Sequence, residues 1–279
     1  MRAGPFQIRR AQVVVGLVAV TALYGSLAYI ALPLSWRHYE HQKKLAGVTM
    51  LTRTRNGIPG DPINVGLVGS QEDVLCAMNA AAWYPADPVT WRSSLKIIGS
   101  VLLDRAYHDA PVSRLFYQDR KQDLAFEKPV GKSAKRRHHV RFWKVLEQGD
   151  EGRAVWLGAA TFDRGVGLSH DDGQITHHIA PDIDADRDLL TDDLKAAKVT
   201  EKIYEVTGIG PTIAGRNGEG DSYYTDGEVK ISVLAEGCSS RVTATTELSN
   251  PPLVTIKNLA WNVIADLLSS ATPTPKDEN

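Results

Sequence analysis

Cysteine is scarce in this sequence: two residues in 279, too few for a disulfide-stapled scaffold or a four-cysteine zinc site. An excess of charge of either sign is missing as well. Lysine and arginine number 32 against 33 acidic residues, a formal net charge of -1, so nothing drives the whole chain toward nucleic acid or another polyanion. Long apolar runs are absent but for one, which excludes a multi-span membrane protein. With 43% hydrophobic and 23% charged residues, the composition is that of a globular chain and excludes collagen-like, disordered and coiled-coil classes. No G-x-S-x-G nucleophile turn and no internal repeat occur, so a serine hydrolase has no positive support.

The one long apolar run extends from residue 11 to residue 34 without a charged side chain. At about 1.5 Å of rise per residue, such a helix covers the roughly 30 Å hydrocarbon core of a bilayer. Trp36 and Tyr39 follow where an interfacial aromatic belt belongs. The run exceeds the ~7–15 apolar residues of a cleaved signal, and Ala28–Ala31 (AYIA) lacks the A-x-A cleavage pattern. An uncleaved single-pass anchor is therefore expected. Arg2, Arg9 and Arg10 precede it, while Arg37, Lys43 and Lys44 follow, so the flanking charge is close to a tie. A short basic head before a long domain is the usual layout of a signal anchor. That layout places the domain outside the cytoplasm, tethered to the inner membrane. Cys76 and Cys238 fit either one bridge in an oxidising compartment or two packed thiols.

The chain divides into a basic tail (1–10), the anchor (11–34), a linker (35–60), one domain (61–270) and a polar, proline-bearing tail (271–279). Within the domain the hydrophobic periods mix. Strand-like runs occur at Ile63–Val68, Arg114–Tyr117, Asp123–Glu127, His139–Val145, Val155–Phe162, Lys202–Val206 and Glu228–Ala235. Ser70 with Asp73 predicts a capped helix start. Further helices are expected at Trp91–Leu103, Asp186–Ala197 and Leu253–Leu268, the last with Leu253, Ile256, Leu259, Val263 and Leu267 near helical spacing. Several strands are consecutive and do not alternate with helices, which argues for an α+β domain behind one transmembrane helix.

Candidate chemistry begins with the basic stretch from Lys128 to Lys144, which holds seven lysines and arginines and no acid. It reads as a hairpin turning at Gly131-Lys132-Ser133. Alternation puts His139, Arg141 and Trp143 on one face of its second strand and His138, Val140 and Phe142 on the other. Arg136, Arg137 and Arg141 could offer paired donors to a phosphate or carboxylate. A solvated tip, or one leaning on anionic headgroups, explains the charge as well.

Asp163 and Arg164 come at the expected end of a strand, before Gly165 and Gly167. His170, His177, His178 and Asp182 follow. Two imidazoles and a carboxylate from these could hold zinc, iron or manganese with an open position, so a divalent metal is the cofactor this donor set would take. No H-E-x-x-H motif specifies one. His139, His170 or His178, oriented by a carboxylate such as Asp163, could instead move protons. Asp182, Asp184, Asp186, Asp188 and Asp193 echo the spacing of a calcium loop. Arg187 stands where that loop wants glycine, and a helix entrance favours aspartate equally. Gly208-Ile209-Gly210 and the glycines after it read as a long surface loop or an anion-binding nest, and Asp226-Gly227 as a hairpin turn.

Several blocks together resemble one family. They are Asn64–Ser70 (NVGLVGS), Trp83–Pro88 (WYPADP), Ala110–Ser113 (APVS), Gln122–Phe126 (QDLAF), Arg136–Arg141 (RRHHVR), Gly158–His170 (GAATFDRGVGLSH), Thr176–Ile179 (THHI) and Asp182–Arg187 (DIDADR). They are similar to the LssY-like C-terminal domain family over roughly residues 60 to 235. The resemblance implies a bacterial cell-envelope setting, near the handling of lipid or undecaprenyl phosphate, and carries no established catalytic residues.

Three functional readings stand at this point. The first is an accessory module recognising an anionic, phosphate- or lipid-bearing ligand through Arg136, Arg137, Arg141 and Arg164. The second is a hydrolase using His139, Asp163, His170 and His178, with or without a metal on His170, His177, His178 and Asp182. The third is a scaffold docking another membrane protein. The bilayer is the expected partner in each, and nucleic acid in none.

Overall fold

The computed structural model of the chain describes residues 5–31, 34, 41–86, 115–131, 136–168, 175–237 and 241–271. The apolar run forms helix α1 (Pro5–Ser26), continued by a π-helical turn, Leu27–Ala31. Among the described residues it is the one helix long and apolar enough to cross a membrane, and its apolar window is not buried against the rest of the chain.

Beyond the helix the chain folds into a mixed α+β domain. Its first strands are β1 (Leu51–Arg53), β2 (Pro59–Pro62), β3 (Val65–Val68), β4 (Tyr84–Pro85), β5 (Phe116–Tyr117), β6 (Arg120–Lys121) and β7 (Leu124–Pro129). Then come β8 (Arg137–Leu146), β9 (Val155–Leu168), β10 (Ile175–Ile179), β11 (Thr200–Thr207), β12 (Thr212–Arg216), β13 (Ser222–Thr225), β14 (Glu228–Leu234) and β15 (Thr246–Glu247). The helices are α2 (Gln71–Ala80), α3 (Ile183–Ala196) and α4 (Pro252–Ala271). The large sheet runs β15-β11-β14-β3-β9-β8-β7-β4, with β10 added alongside β9. In it β3 pairs in parallel with β14, and β11 with β15.

Both faces of this sheet are covered, which is why β3 is buried along its whole length. On one face lie α2 and α3, where Val74, Leu75, Met78, Leu190 and Leu194 meet Val140, Phe142, Trp156 and Ala160. On the other, Trp143, Leu157, Ala159, Val229 and Ile231 lie under Leu45, Met50, Ile63, Leu115 and Tyr117. Most of that cover comes from the small sheet β2-β1-β5-β6 and the segment before it. Two central glycines are demanded by packing. A Cβ on Gly66 would stand 2.3 Å from Ile231 Cδ1, and one on Gly158 2.6 Å from Phe142 Cε1. Asn64, 1% exposed, ties β3 to its surroundings: its amide donates to the carbonyls of Ala160 and Ile183 and accepts from the Ala160 N–H.

The Ser70–Asp73 capping box forms as expected and starts α2. The hairpin β7–β8 pairs Leu124 with Phe142 and Pro129 with Arg137. Other expectations need correction. Residues 41–60 are not a linker: Leu45 is 1% exposed in the core, and β1 and β2 lie among them. Strand β9 does not end at Phe162 but runs to Leu168, because β10 supplies a partner ladder opposite its glycines. Helix α3 starts at Ile183, three residues early, capped by Asp182, whose carboxylate accepts from the Ala185 N–H. Residues 208–227 are not an open loop, since β12 and β13 pair within them. Asp226-Gly227 turns no hairpin; it passes the chain from β13 to β14 in a different sheet. Gly227 has φ +81° and touches Gly210 so closely that a Cβ would fall 1.8 Å from its carbonyl carbon. The expected helix Trp91–Leu103 and the tail after residue 271 lie outside the described residues.

Candidate functional site

Alternation along β8 puts Arg137, His139 and Arg141 on the face opposite the helices, where they are 7%, 5% and 3% exposed. Strand β9 lies in register beside them, Arg137 facing Asp163 and His139 facing Thr161. Asp163 is fully buried and receives both neighbours: Arg137 Nε donates to one oxygen at 3.2 Å, and His139 Nδ1 lies 2.8 Å from the other. That second contact lacks the alignment of a hydrogen bond. On its far side, His139 Nε2 accepts from Arg141 Nη1 at 2.7 Å. Guanidinium is always a donor, so Nε2 carries the lone pair and the ring proton sits on Nδ1, toward Asp163.

The row is neutralised from its flanks. Arg137 Nη1 donates to Glu127 of β7 at 2.6 Å. Arg141 Nη1 lies 3.7 Å from Asp61 of β2. Asp61 in turn accepts from the Asn217 amide at 3.0 Å. Burial first, and Asp61 second, push the nearby Tyr223 phenol above its ordinary range. Asn217 belongs to the turn between β12 and β13, and its side-chain oxygen accepts from the Asp221 N–H at 2.9 Å. The chain of polar contacts therefore continues from Asp61 through Asn217 to Asp221.

Asp221 is the second focus. Its carboxylate accepts from the Ile179 N–H at 3.1 Å, lies 2.9 Å from His178 Nδ1, and meets Arg164 Nη2 at 3.5 Å. The Asp221 side chain is 5% exposed, His178 33% and Arg164 46%. A buried acid thus holds an imidazole and a guanidinium that both reach solvent, which suits proton transfer or the binding of an anion.

The expected residues are distributed as follows. Arg137, His139, Arg141 and Asp163 form the buried row, while Arg164 and His178 meet at Asp221. Arg136 is exposed, its guanidinium carbon 5.8 Å from the Phe162 ring centroid. Asp182 serves as the α3 cap. His177 is paired opposite Val166, and His170 lies outside the described residues. Among the described residues no three acidic, histidine or cysteine side chains are grouped as metal ligands.

The calcium-like spacing is taken up by a helix, and each acid has a protein partner instead. Asp184 binds Thr225, the Asp226 N–H and Arg187. Asp186 lies 2.5 Å from His138 Nδ1, Asp188 meets Arg187 and Lys230, and Asp193 accepts from Trp83 Nε1 and Lys128. Burial first, with Asp226 adding to it against the pull of Arg187, raises Asp184 to about 6. The glycine amides at 208 and 210 both donate to the Gly227 carbonyl, so no anion nest opens there. Asp61, Glu127, Asn217 and Asp221 were not anticipated. Asn217-Gly218 is a turn signal that hinted at the hairpin, but nothing local links Asp61 to it.

Fold and site together define an α+β domain with an internal arginine–histidine–carboxylate network, behind one apolar N-terminal helix. The chain belongs to the LssY C-terminus family, whose model matches residues 44–229. The match takes in β1 through β13 and stops before α4. Neither a curated protein nor a solved structure matches the chain.

Proposed function

We propose that this chain is a membrane-anchored envelope protein whose domain recognises an anionic, phosphate- or lipid-bearing group in an accessory role. The observation that carries this reading is the division of labour among the arginines. Arg137 and Arg141 are spent on Glu127, Asp163 and Asp61, whereas Arg164 presents nearly half its side chain to solvent beside His178. The buried row acts as a frame, linked through Asp61 and Asn217 to Asp221, and Arg164 with His178 meets the ligand. Helix α1 supplies the tether. Cys76 is disulfide-bonded, which supports an oxidising compartment and hence a domain outside the cytoplasm.

Titration of the full chain in detergent with inorganic phosphate and with a short-chain phosphatidic acid tests the reading. Binding that weakens about tenfold or more in Arg164→Ala, and much less in Arg136→Ala, is expected, in line with the loss of a charge-assisted contact. Absence of binding to both ligands, or equal loss in both variants, would count against it.

A second reading is favoured by the Asp221–His178 pair alone. A histidine oriented by a buried acid and open at its other nitrogen is suited to acid–base hydrolysis. Turnover of phosphate or carboxylate esters that His178→Asn abolishes, with binding retained, would select this reading.

A further inference from the structure

Helix α4 is amphipathic in an unusual sense: it presents apolar side chains both inward and outward. Val254 and Trp261 are 2% and 6% exposed and dock the helix on the domain. Lys257 reinforces the docking, pairing with Glu228 and donating to the Asp226 carbonyl at 3.1 Å. At about 100° per residue, Leu253, Ile256, Leu259, Val263 and Leu267 fall on one stripe across the helix from that docked side. They are 45%, 61%, 63%, 62% and 65% exposed. The helical spacing of these five apolar residues was legible in the sequence; the structure turns the stripe outward.

We infer that this stripe lies on the surface of the bilayer that holds α1, so that α4 is a second, interfacial contact between domain and membrane. The inference rests on the anchor reading and is independent of the anion site. Two observations favour lipid as the occupant, and a third fixes how it would be bound. First, α1 and its π-turn end at Ala31 and the domain is under way by Gln42. Even fully extended, the intervening chain reaches only about 35 Å, so the domain cannot leave the neighbourhood of the headgroups. Such tethering removes most of the entropic cost of a weak surface contact.

Second, the stripe amounts to on the order of 500 Å² of apolar surface, enough to mark an interaction site. It falls short of the ~800 Å² per partner that a standard protein interface buries. Third, the helix is poor in charge. Lys257 is committed to Glu228 and only Asp266 remains, the other polar residues being asparagine, serine and threonine. An interfacial helix of this kind binds through buried apolar area and not through attraction to anionic lipid.

The test uses the full chain in lipid nanodiscs, with the photo-crosslinker p-benzoylphenylalanine placed at Val18 or at Leu259 in separate preparations. Val18 reports the anchor, and Leu259 reports α4. Capture of lipid at both positions is expected. At Leu259 the yield should agree within about twofold between phosphatidylcholine alone and phosphatidylcholine with added phosphatidylglycerol. With the label moved to Ile256, the exposed substitutions Leu259→Asp and Val263→Asp together should abolish capture without altering the melting temperature. Lipid at Val18 but none at Leu259 would overturn the inference, and so would crosslinking of Leu259 to a second copy of the chain or to another protein. No lipid at Val18 would overturn the anchor reading and this inference with it. Loss of anion binding in Arg164→Ala leaves both untouched.

Discussion

The buried row makes a quantitative prediction through Asp163. Asp163→Asn keeps the shape and removes the charge, with Arg137 Nε 3.2 Å away and His139 Nδ1 2.8 Å away. The Asp163 side chain is 0% and that of Arg137 8% exposed, so water cannot take over the carboxylate's part. Breaking a buried pair at one partner costs about 3–5 kcal/mol, because the surviving charge is left in low dielectric. Glu127 still reaches Arg137 at 2.6 Å, which places the expected loss at the lower end, about 3 kcal/mol. For a domain of this size, that lowers the melting temperature by about 6–12 °C. Thermal unfolding of the full chain in detergent, followed by the fluorescence of buried Trp83, Trp143 and Trp156, measures it. Adding Arg137→Met should restore at least about 1 kcal/mol, since Glu127 is partly exposed and tolerates the loss. A single variant within about 0.5 kcal/mol of the parent, or a double variant weaker by the full sum, would refute the role of the row as a frame.

The remaining predictions concern the carboxyl pair under α4 and the centre of the sheet. Burial first, then the neighbouring Glu205, push the Glu228 carboxyl up to about 8, against the pull of Lys257. The folded chain therefore holds a proton that the unfolded chain releases. This contribution is whole below about pH 4.5, erodes as pH rises, and is gone above about pH 8. Glu228→Gln should flatten that decline in urea midpoints; an unchanged slope would refute the raised Glu228 carboxyl. Asp184 adds a decline of the same sign around its value of about 6, which this variant keeps. Gly158→Ala should cost about 1–3 kcal/mol by overpacking against Phe142, where a Cβ would also meet the Arg141 carbonyl at 3.0 Å. Stability equal to the parent, measured by the same denaturation, would show that Phe142 has room to move.

Local signals carried much of the architecture. The apolar helix, the Ser70–Asp73 cap and the two-residue period of β8 are each written in a continuous stretch of sequence, and the structure shows the helix through Ala31, the cap and the alternation. The period also separated His139, Arg141 and Trp143 from His138, Val140 and Phe142 correctly, because a strand must alternate. It could not say that the arginine face would be covered. That depends on Asp61 of β2 and on Asn217, which meet across 156 residues of chain. Asp221 was missed for the same reason: Arg164, His178 and Asp221 are brought together only when β9, β10 and the β12–β13 turn converge. The calcium-like aspartates mislead in the reverse direction. Their spacing is that of a loop, but a helix capped by Asp182 turns Asp186 toward His138 and away from Asp184 and Asp188, which share Arg187.

By itself, then, the sequence determined the apolar N-terminal helix, the α+β class, the hairpin strand bearing the arginines and histidine, and the family. The family follows from its resemblance over several sequence blocks; the rest follows from composition and from periods that a short peptide already possesses. Tertiary structure alone decided which cations are enclosed by carboxylates, which pair reaches solvent, and that the apolar stripe of α4 turns away from the core. These outcomes depend on charge solvation and on apolar area that no segment controls until distant strands supply the opposing surface.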